Sequence, residues 1–163
     1  ILMGSGGAPM TPTPDLFAMV KYYDDPSPEA MLSLIRAFMV DTSRYGDAIE
    51  QIAADRARYA ARADIRRSHE RTFSPQGPPL VFTPEQLAGI DHQVLLLHGR
   101  EDRIIPVAAS HHLAQHLPNA QLHVLPNTGH WVQIEQADRF VALAELFLGE
   151  ATSAARAEQD PAA

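Results

Sequence analysis

The sequence contains no cysteine among its 163 residues. Disulfide bonds and thiolate chemistry are therefore excluded, and the redox compartment is left undetermined. It also lacks an apolar run approaching the roughly 18 residues that a membrane span requires. No charged segment followed by an apolar stretch marks a secretory signal. We accordingly expect a cytoplasmic protein that does not contact membranes.

Positive charge is scarce, since 13 Lys and Arg stand against 20 Asp and Glu, for a formal net charge of −7. Nucleic-acid-binding proteins usually carry a basic patch. The arginine-rich segment 56–71 also contains Asp64 and Glu70, and Asp55 precedes it. That mixture predicts a solvated helical surface, so nucleic acid is not expected as a partner.

The first residues look like the inside of a protein. The chain opens with Ile1 rather than methionine, and "ILMG" is typical of the end of a buried strand. We therefore expect the chain to be the C-terminal piece of a longer protein, with residues 1–7 forming the end of a core strand.

Residues 8–88 predict helices joined by proline-rich loops. In "SPEAMLSLIRAFMV", Ser27 is the predicted N-cap and Pro28 occupies the first helical position. "YGDAIEQIAADRARYAARADIRRSHERTF" predicts a second long helical stretch with a break near Ala63. "GSGGAPMTPTPD" and "SPQGPPLVFTPEQL" are rich in glycine and proline and predict loops.

Residues 89–150 show a different sequence pattern. "QVLLLHG" and "AQLHVLP" predict short buried strands, while "PVAASHHLAQHLPN" and "WVQIEQADRFVALAELFLGE" predict helices. The order strand–helix–strand–helix favours a parallel α/β unit with right-handed crossovers. The small and polar residues 151–163 predict a flexible tail.

Two loops of this unit carry candidate chemistry. Ligands and catalytic groups gather at the carboxyl ends of parallel strands, and "HGREDRIIP" and "PNTGHW" both follow predicted strands. The first contains Asp102 and the second His130. A carboxylate that orients a histidine and stabilises its charged form is part of a nucleophilic triad. Glu101 competes as the acid, and a turn or capping role is the alternative for Asp102.

The same segments carry a family resemblance. "LLLHGREDRIIP" followed by "LPNAQLHVLPNTGHWVQIEQADRF" resembles the C-terminal half of α/β-hydrolase-fold enzymes, and above all the meta-cleavage product hydrolases. Those enzymes cleave a carbon–carbon bond in 2-hydroxy-6-oxo-dienoates with a Ser–Asp–His triad. The resemblance implies that Asp102 is the triad acid and His130 the general base. It also implies a helical cap over residues 8–88 and a C-terminal core over 89–150.

Further implications concern ligands and partners. The resemblance implies a small-molecule dienoate substrate, no cofactor and no metal, and it leaves a homo-oligomer of the full-length protein open. A cap arginine of this family pairs with the substrate carboxylate, for which a planar guanidinium is well suited. "ADRARYAARAD" offers Arg56, Arg58 and Arg62. Arg56 best keeps the family spacing, Arg58 is its rival, and solvated helix charges are the alternative. Trp131 flanks the substrate pocket or anchors the last helix.

The member of the catalytic triad that the sequence lacks is the nucleophile. The pattern G-x-S-x-G is absent, and "MGSGG" around Ser5 imitates it poorly. Met3 stands where the pattern needs glycine, and prolines follow where a helix is required. We expect the nucleophilic serine and the oxyanion hole to lie upstream of Ile1, and the chain alone to be inactive. An ester or lactone hydrolase of the same fold, and an inactive or non-catalytic module, are the alternatives.

One further histidine pair resembles a metal motif. His112 and His116 are spaced by one helical turn. No carboxylate nearby in the sequence completes a ligand set, so a solvated helix face is the expected role.

Overall fold

A computed structural model of the chain describes residues 1–74 and 81–159, with residues 151–159 described by their backbone alone. Helices and strands follow one another along the chain in this order: β1 (Leu2–Met3), α1 (Pro14–Val20), α2 (Pro28–Phe38), α3 (Ala48–Ala60), α4 (Ala63–Thr72), α5 (Pro84–Ala88), β2 (Val94–Gly99), α6 (Ala108–His116), β3 (Ala120–Leu125), α7 (Val132–Glu135) and α8 (Ala137–Gln159). No helix within these described ranges is both long and apolar enough to cross a membrane.

The strands form a parallel sheet in the order β1-β2-β3. The central strand β2 aligns Gly99 with Leu125 of β3 at its carboxyl end. Leu95, Leu96 and Leu97 of β2 are almost fully buried. A strand buried on both faces is expected to be apolar throughout, which is why "VLLL" does not alternate with polar residues. The predicted α/β class, with parallel strands and flanking helices, is confirmed.

Helices cover both faces of this sheet. Leu95 and Leu97 pack with Phe147 of α8, whereas Leu96 packs with Leu113 of α6. Successive side chains of a strand point to opposite faces, so the two helices lie on opposite sides of β2. The middle of β2 is thereby packed on both faces, shortly before the candidate loops emerge.

The helical region has its own core. Ser27 caps α2 by accepting a hydrogen bond from the backbone of Ala30, and Pro28 occupies the first turn, as predicted. The core also includes Ile104 and Ile105, which follow Asp102 in the sequence. The loop that carries Asp102 is therefore packed into the helical region as well as attached to the sheet.

The predicted break in the second long helical stretch is present. It lies between the end of α3 and the start of α4, slightly before the predicted position at Ala63. The break turns the chain between two helices that are both rich in arginine.

The segment "SPQGPPLVFTPEQL" was wrongly predicted to be loop throughout. Residues 75–80 lie outside the described residues, but α5 follows them. Thr83 accepts from the backbone of Gln86, and the Gln86 side chain accepts from the backbone of Thr83. This capping box, with Pro84 at the first helical position, starts a helix despite the prolines before it.

The last helical stretch also departs from prediction. It was expected to be one helix from Trp131, but it is interrupted at Gln136, which separates α7 from α8. On α8, Phe147 is buried whereas its neighbour Leu146 is 59% exposed. The helix runs on to Gln159, past the point at which a flexible tail was expected, because alanine favours helix. Residues 160–163 of that tail lie outside the described residues.

Candidate active site

Asp102 and His130 meet where neighbouring strands end. β2 and β3 are in register up to Gly99 and Leu125, so the loops that follow them emerge side by side. His130 Nδ1 lies 2.8 Å from Asp102 Oδ2, a hydrogen-bond distance. The structure thus brings together the two residues that the sequence predicted as acid and base.

A close backbone approach at Gly99 allows this arrangement. A Cβ atom at Gly99 would lie 2.0 Å from the carbonyl oxygen of Gly129 and 2.3 Å from that of Thr128. No side chain can be accommodated at that separation, so the two loops can touch only because residue 99 is glycine.

The Asp102 carboxylate is surrounded by N–H groups. Its Oδ1 accepts from the backbone of Ile104 at 2.8 Å and of Ile105 at 3.0 Å. Its Oδ2 accepts from His130 and lies 3.3 Å from Nε2 of His98. An ionised carboxylate has about four acceptor positions, and each of them faces a donor here.

Opposing effects act on the acidity of Asp102. Burial of the carboxyl would by itself raise its pKa, but the hydrogen bonds from His130 and His98 outweigh it and lower the pKa from 3.8 to about 2. Asp102 is therefore ionised at neutral pH, as a carboxylate must be to stabilise a charged imidazole.

Glu101, the rival acid, has a different role. Its Oε1 pairs with Arg100 at 2.8 Å, and its Oε2 accepts from the backbone of Thr128 at 3.1 Å. Glu101 thus connects the two loops from the outside, whereas Asp102 contacts the His130 ring.

The His130 ring is held on three sides. Its Nδ1 faces Asp102, its ring stacks on Phe38 with centroids 5.4 Å apart, and its backbone donates to the Phe38 carbonyl at 2.7 Å. The side chain is 21% exposed. Since Nδ1 is engaged, Nε2 is the ring nitrogen that can serve a reacting group.

An arginine of the helical region lies beside this loop. Trp131 stacks on Phe38 with centroids 4.9 Å apart, and the guanidinium of Arg56 lies 4.7 Å from the Trp131 ring centroid. Arg58 instead pairs with Asp55. This geometry favours Arg56 over Arg58 as the candidate ligand of a substrate carboxylate.

The third arginine, Arg62, is engaged elsewhere. It forms an ion pair with Asp64 at 2.8 Å. Its guanidinium also lies 5.2 Å from the ring centroid of Tyr59. These contacts lie within and next to α3, so Arg62 is a surface charge of the helical region.

Glu135 is a site residue that the sequence reasoning missed. Its two carboxylate oxygens accept from the backbones of Val40 and Gly129, each at 2.7 Å. Burial raises the pKa of this carboxyl. Glu135 thereby joins the segment after α2 to the loop that carries His130. An acidic residue directly after the apolar Ile134 in "WVQIEQ" is a weak sequence signal for it.

Gly4 is a second missed residue. It has a φ of +51°, and a Cβ atom there would lie 2.9 Å from His130 Nδ1 and 3.1 Å from Asp102 Oδ2. Its backbone donates to Leu97 at 3.0 Å. Ser5, next to it, donates weakly to the carbonyl of Met3 at 3.5 Å, and the next helix begins only at Pro14. This geometry differs from a nucleophile elbow, in which a helix follows the serine directly.

The family follows from this fold and a direct comparison. The model of the alpha/beta hydrolase family matches residues 1–143 of the chain. The chain belongs to the α/β-hydrolase family. The order of acid and histidine, each after a parallel strand, agrees with that assignment.

Individual relatives of this α/β-hydrolase are similar along most of its length. The 2-hydroxymuconate semialdehyde hydrolase of Pseudomonas putida is 38% identical over 159 residues, which is 93% of this chain and 53% of that protein. A serine hydrolase from the polyaromatic hydrocarbon-degrading bacterium Cycloclasticus zankles is 40% identical with a TM-score of 0.83, over 91% of this chain and 54% of that one. The meta-cleavage product hydrolase of Pseudomonas fluorescens IP01 is 33% identical with a TM-score of 0.80, over the same shares.

These comparisons confirm the resemblance to meta-cleavage product hydrolases. The chain spans about half the length of the curated relatives it matches. The activities of these longer relatives can therefore only be proposed for this chain.

Metal binding finds no support in the described part of this α/β-hydrolase. There, no group of three or more His, Asp or Glu side chains is arranged to hold an ion. The rings of His112 and His116 contact each other with centroids 4.5 Å apart. Both are half-buried, in contrast to the solvated face that the sequence predicted.

Proposed function

We propose that this chain forms the cap and the C-terminal core of a hydrolase that cleaves a carbon–carbon bond in 2-hydroxy-6-oxo-dienoates. The observation that carries the proposal is the 2.8 Å hydrogen bond between His130 and Asp102 at the ends of parallel strands. Relatives named as meta-cleavage product and 2-hydroxymuconate semialdehyde hydrolases support the reaction class.

The proposal includes a division of the chain. Residues 1–7 end a core strand, 8–88 form the cap, 89–150 form the C-terminal core, and 151–163 form a tail. A parallel bridge between Gly7 and Val81, with the backbone of Phe82 donating to Gly7, supports the first boundary. At that bridge, a residue near the end of the proposed cap lies beside the last residue of the proposed core strand.

In the proposed mechanism His130 is the general base and Asp102 orients it. A serine from a segment outside these 163 residues serves as nucleophile. The dienol substrate first tautomerises to its keto form. Hydrolysis then adds the elements of water across the carbon–carbon bond, so that hydroxyl goes to the acyl carbon and a proton to the leaving carbon. His130 Nε2 accepts and returns the proton during this sequence.

Arg56 is proposed to hold the carboxylate end of the substrate. Its stacking on Trp131 directs the guanidinium towards the loop of His130. An arginine in this position binds a carboxylate with two parallel hydrogen bonds. Trp131 would form the wall between the arginine and the histidine.

The role of His130 is tested by activity. The 163-residue chain is expected to show no turnover of a ring-opened dienoate, measured as loss of dienolate absorbance. A full-length protein encoded by the same gene is expected to turn over, and its His130→Ala variant to lose nearly all activity while its circular dichroism spectrum is unchanged. Turnover by the chain alone that Ser5→Ala abolishes would contradict the proposed origin of the nucleophile.

The substrate class is tested with Arg56. In the full-length protein, Arg56→Met is expected to lower kcat/KM for a dienoate by roughly tenfold or more, because a hydrogen bond to a charged group is lost. Arg58→Met is the matched control and is expected to change little. If both variants behave alike, and neutral esters are turned over well, the alternative of an ester or lactone hydrolase is correct.

The setting of the enzyme is part of the same proposal. A small-molecule substrate agrees with a relative named 2-hydroxymuconate semialdehyde hydrolase, and a cytoplasmic location is proposed with it. A homo-oligomer of the full-length protein stays a prediction, as does its independence from cofactors.

A further inference from the structure

His98 is a buried histidine that the proposed mechanism does not use. It lies near the end of β2 with no exposed surface. Its Nδ1 lies 2.6 Å from Ser110 Oγ, and its Nε2 lies 2.8 Å from the carbonyl oxygen of Ile105. The same Nε2 is 3.3 Å from Asp102 Oδ2. One ring thus connects strand β2, helix α6 and the turn that carries the candidate acid.

These partners determine where the ring proton lies. A carbonyl oxygen only accepts hydrogen bonds, so the Nε2 facing Ile105 must carry a proton. Nδ1 is hydrogen-bonded to the hydroxyl of Ser110, which is itself 1% exposed. With both nitrogens engaged, the ring has a single orientation.

The orientation of the His98 ring matters because this ring lies beside the carboxylate of Asp102. The backbone donors of Ile104 and Ile105 hold only the Oδ1 atom of Asp102. Oδ2 faces His130 and His98. His130 exchanges its catalytic proton at Nε2, and its ring is partly exposed, whereas the His98 ring is fully enclosed. His98 is therefore the more rigidly held of the two groups that face Oδ2.

We propose that His98 is a positioning residue for the Asp102–His130 pair, an inference that rests on the proposed function. Its Nε2–H donates to the Ile105 carbonyl at 2.8 Å and lies 3.3 Å from Asp102 Oδ2, and so limits the positions at which Oδ2 can meet His130. Ser110 holds the ring from the opposite side.

The test follows the His130 Nδ1–H proton by NMR in the 163-residue chain and measures its exchange with water. In the unaltered chain this proton is expected at low field and in slow exchange, because it is hydrogen-bonded to a carboxylate. His98→Leu removes the donor to Asp102 and is expected to accelerate exchange by roughly tenfold. His98→Gln retains an N–H group at a similar reach and is expected to recover most of the protection.

Two further variants separate positioning from general loosening of the fold. Leu113→Val weakens the packing of α6, the helix that carries Ser110, and is expected to leave the exchange rate unchanged. Ser110→Ala removes only the hydroxyl and is expected to accelerate exchange, and it decides the matter if His98→Leu does not fold. Because no substrate is used, the result is independent of whether the hydrolase activity is found.

Several outcomes would overturn the inference. One is a folded His98→Leu variant that exchanges its His130 proton at the unaltered rate. Another is equal acceleration in Leu113→Val and Ser110→Ala. A third is an unaltered chain whose His130 proton exchanges as fast as that of a free imidazole.

Discussion

Gly4 shows how a single residue without a side chain shapes the candidate site. Gly4 has a φ of +51°, and a Cβ atom added to it would lie 2.9 Å from His130 Nδ1. There is therefore no room for alanine at this position. Gly4→Ala is expected to displace the His130 ring from Asp102. We expect a destabilisation of about 1–3 kcal/mol from the strained backbone and the contact. Urea unfolding measures the stability, and the low-field proton of His130 reports the displacement.

Two other glycines distinguish the cost of the strained backbone from the cost of the contact with His130. Gly46 has a similar φ of +49°, but a Cβ there has no atom within 4 Å. Gly6 has neither a positive φ nor a neighbour within 4 Å. Gly46→Ala is expected to show the backbone cost alone, and Gly6→Ala neither effect. A Gly4→Ala variant with an unperturbed His130 resonance would contradict the prediction.

Asp102 is expected to make the stability of the protein depend on pH in the acid range. Its pKa in the folded state, about 2, lies below the value of 3.8 for an unperturbed group. The contribution of its ionised form is therefore complete above the unperturbed value and is lost as the pH falls towards the folded value. The full difference corresponds to about 2 kcal/mol.

The measurement is urea unfolding at a series of acid pH values. Asp102→Asn is expected to be less stable at neutral pH and to lose part of the pH dependence in this window. Asp91→Asn, at an exposed position, serves as the control and is expected to follow the unaltered chain. If the free energy of unfolding depends on pH in the same way in the unaltered chain and in Asp102→Asn, the folded protein does not stabilise the ionised form of Asp102.

At the scale of elements, Glu135 couples α7 to the segment that follows α2. It accepts from Val40 and Gly129 at 2.7 Å each. Glu135→Gln replaces one acceptor oxygen by an amide group, so one of the two backbone N–H groups loses its partner. We expect a loss of about 1–3 kcal/mol of stability. Amide hydrogen exchange should accelerate at Val40, Gly129 and His130 together.

A control for this variant lies on α8. Glu145 is exposed, and Glu145→Gln is expected to change neither stability nor exchange at these amides. Acceleration confined to one of the two loops would contradict a coupling through Glu135.

The elements also show which local signals the sequence carries. Helix α2 was predictable because Ser27 and Pro28 are adjacent start signals and a regular apolar face follows them. The capping box of Thr83 and Gln86 is an equally local signal, but the surrounding prolines concealed it. The break at Gln136 has no such signal, because the chain turns there to pack Val132 and α8 onto β2.

At the scale of the whole molecule, β1 forms one edge of the sheet among the described residues. β1 lies at one end of the three-stranded order, and Leu2 and Met3 are 40% and 37% exposed. An exposed apolar strand edge can pair with another chain. The 163-residue chain is therefore expected to self-associate as its concentration rises, as measured by sedimentation velocity.

Charge at the edge is expected to reverse this association. Leu2→Lys places a charge on β1, and a larger monomer fraction should follow at equal concentration. Phe17→Lys is a matched control, since Phe17 is 54% exposed on α1, away from the sheet. Equal effects of the two substitutions would indicate a general gain in solubility rather than an edge contact.

The sequence by itself determined the features that depend on short-range patterns. The continuous apolar run of β2 predicted a buried strand, and the spacing of Asp102 and His130 after two such strands predicted their meeting. Both follow from the side-chain periodicity of strands and from the common edge of parallel strands. The resemblance carried by these loops supplied the family.

Only the tertiary structure decided which residues surround that pair. Gly4 comes from the opposite end of the sequence. His98 and Glu135 are near Asp102 and His130 in the chain, but their contacts with Ser110 and Val40 are specified by no local pattern. The proposal of Arg56 over Arg58 likewise rests on packing, because the two arginines share one helix and Arg56 lies over Trp131 whereas Arg58 pairs with Asp55. Hydrogen bonds and ring contacts between remote segments depend on three-dimensional distance, and separation along the chain does not encode it.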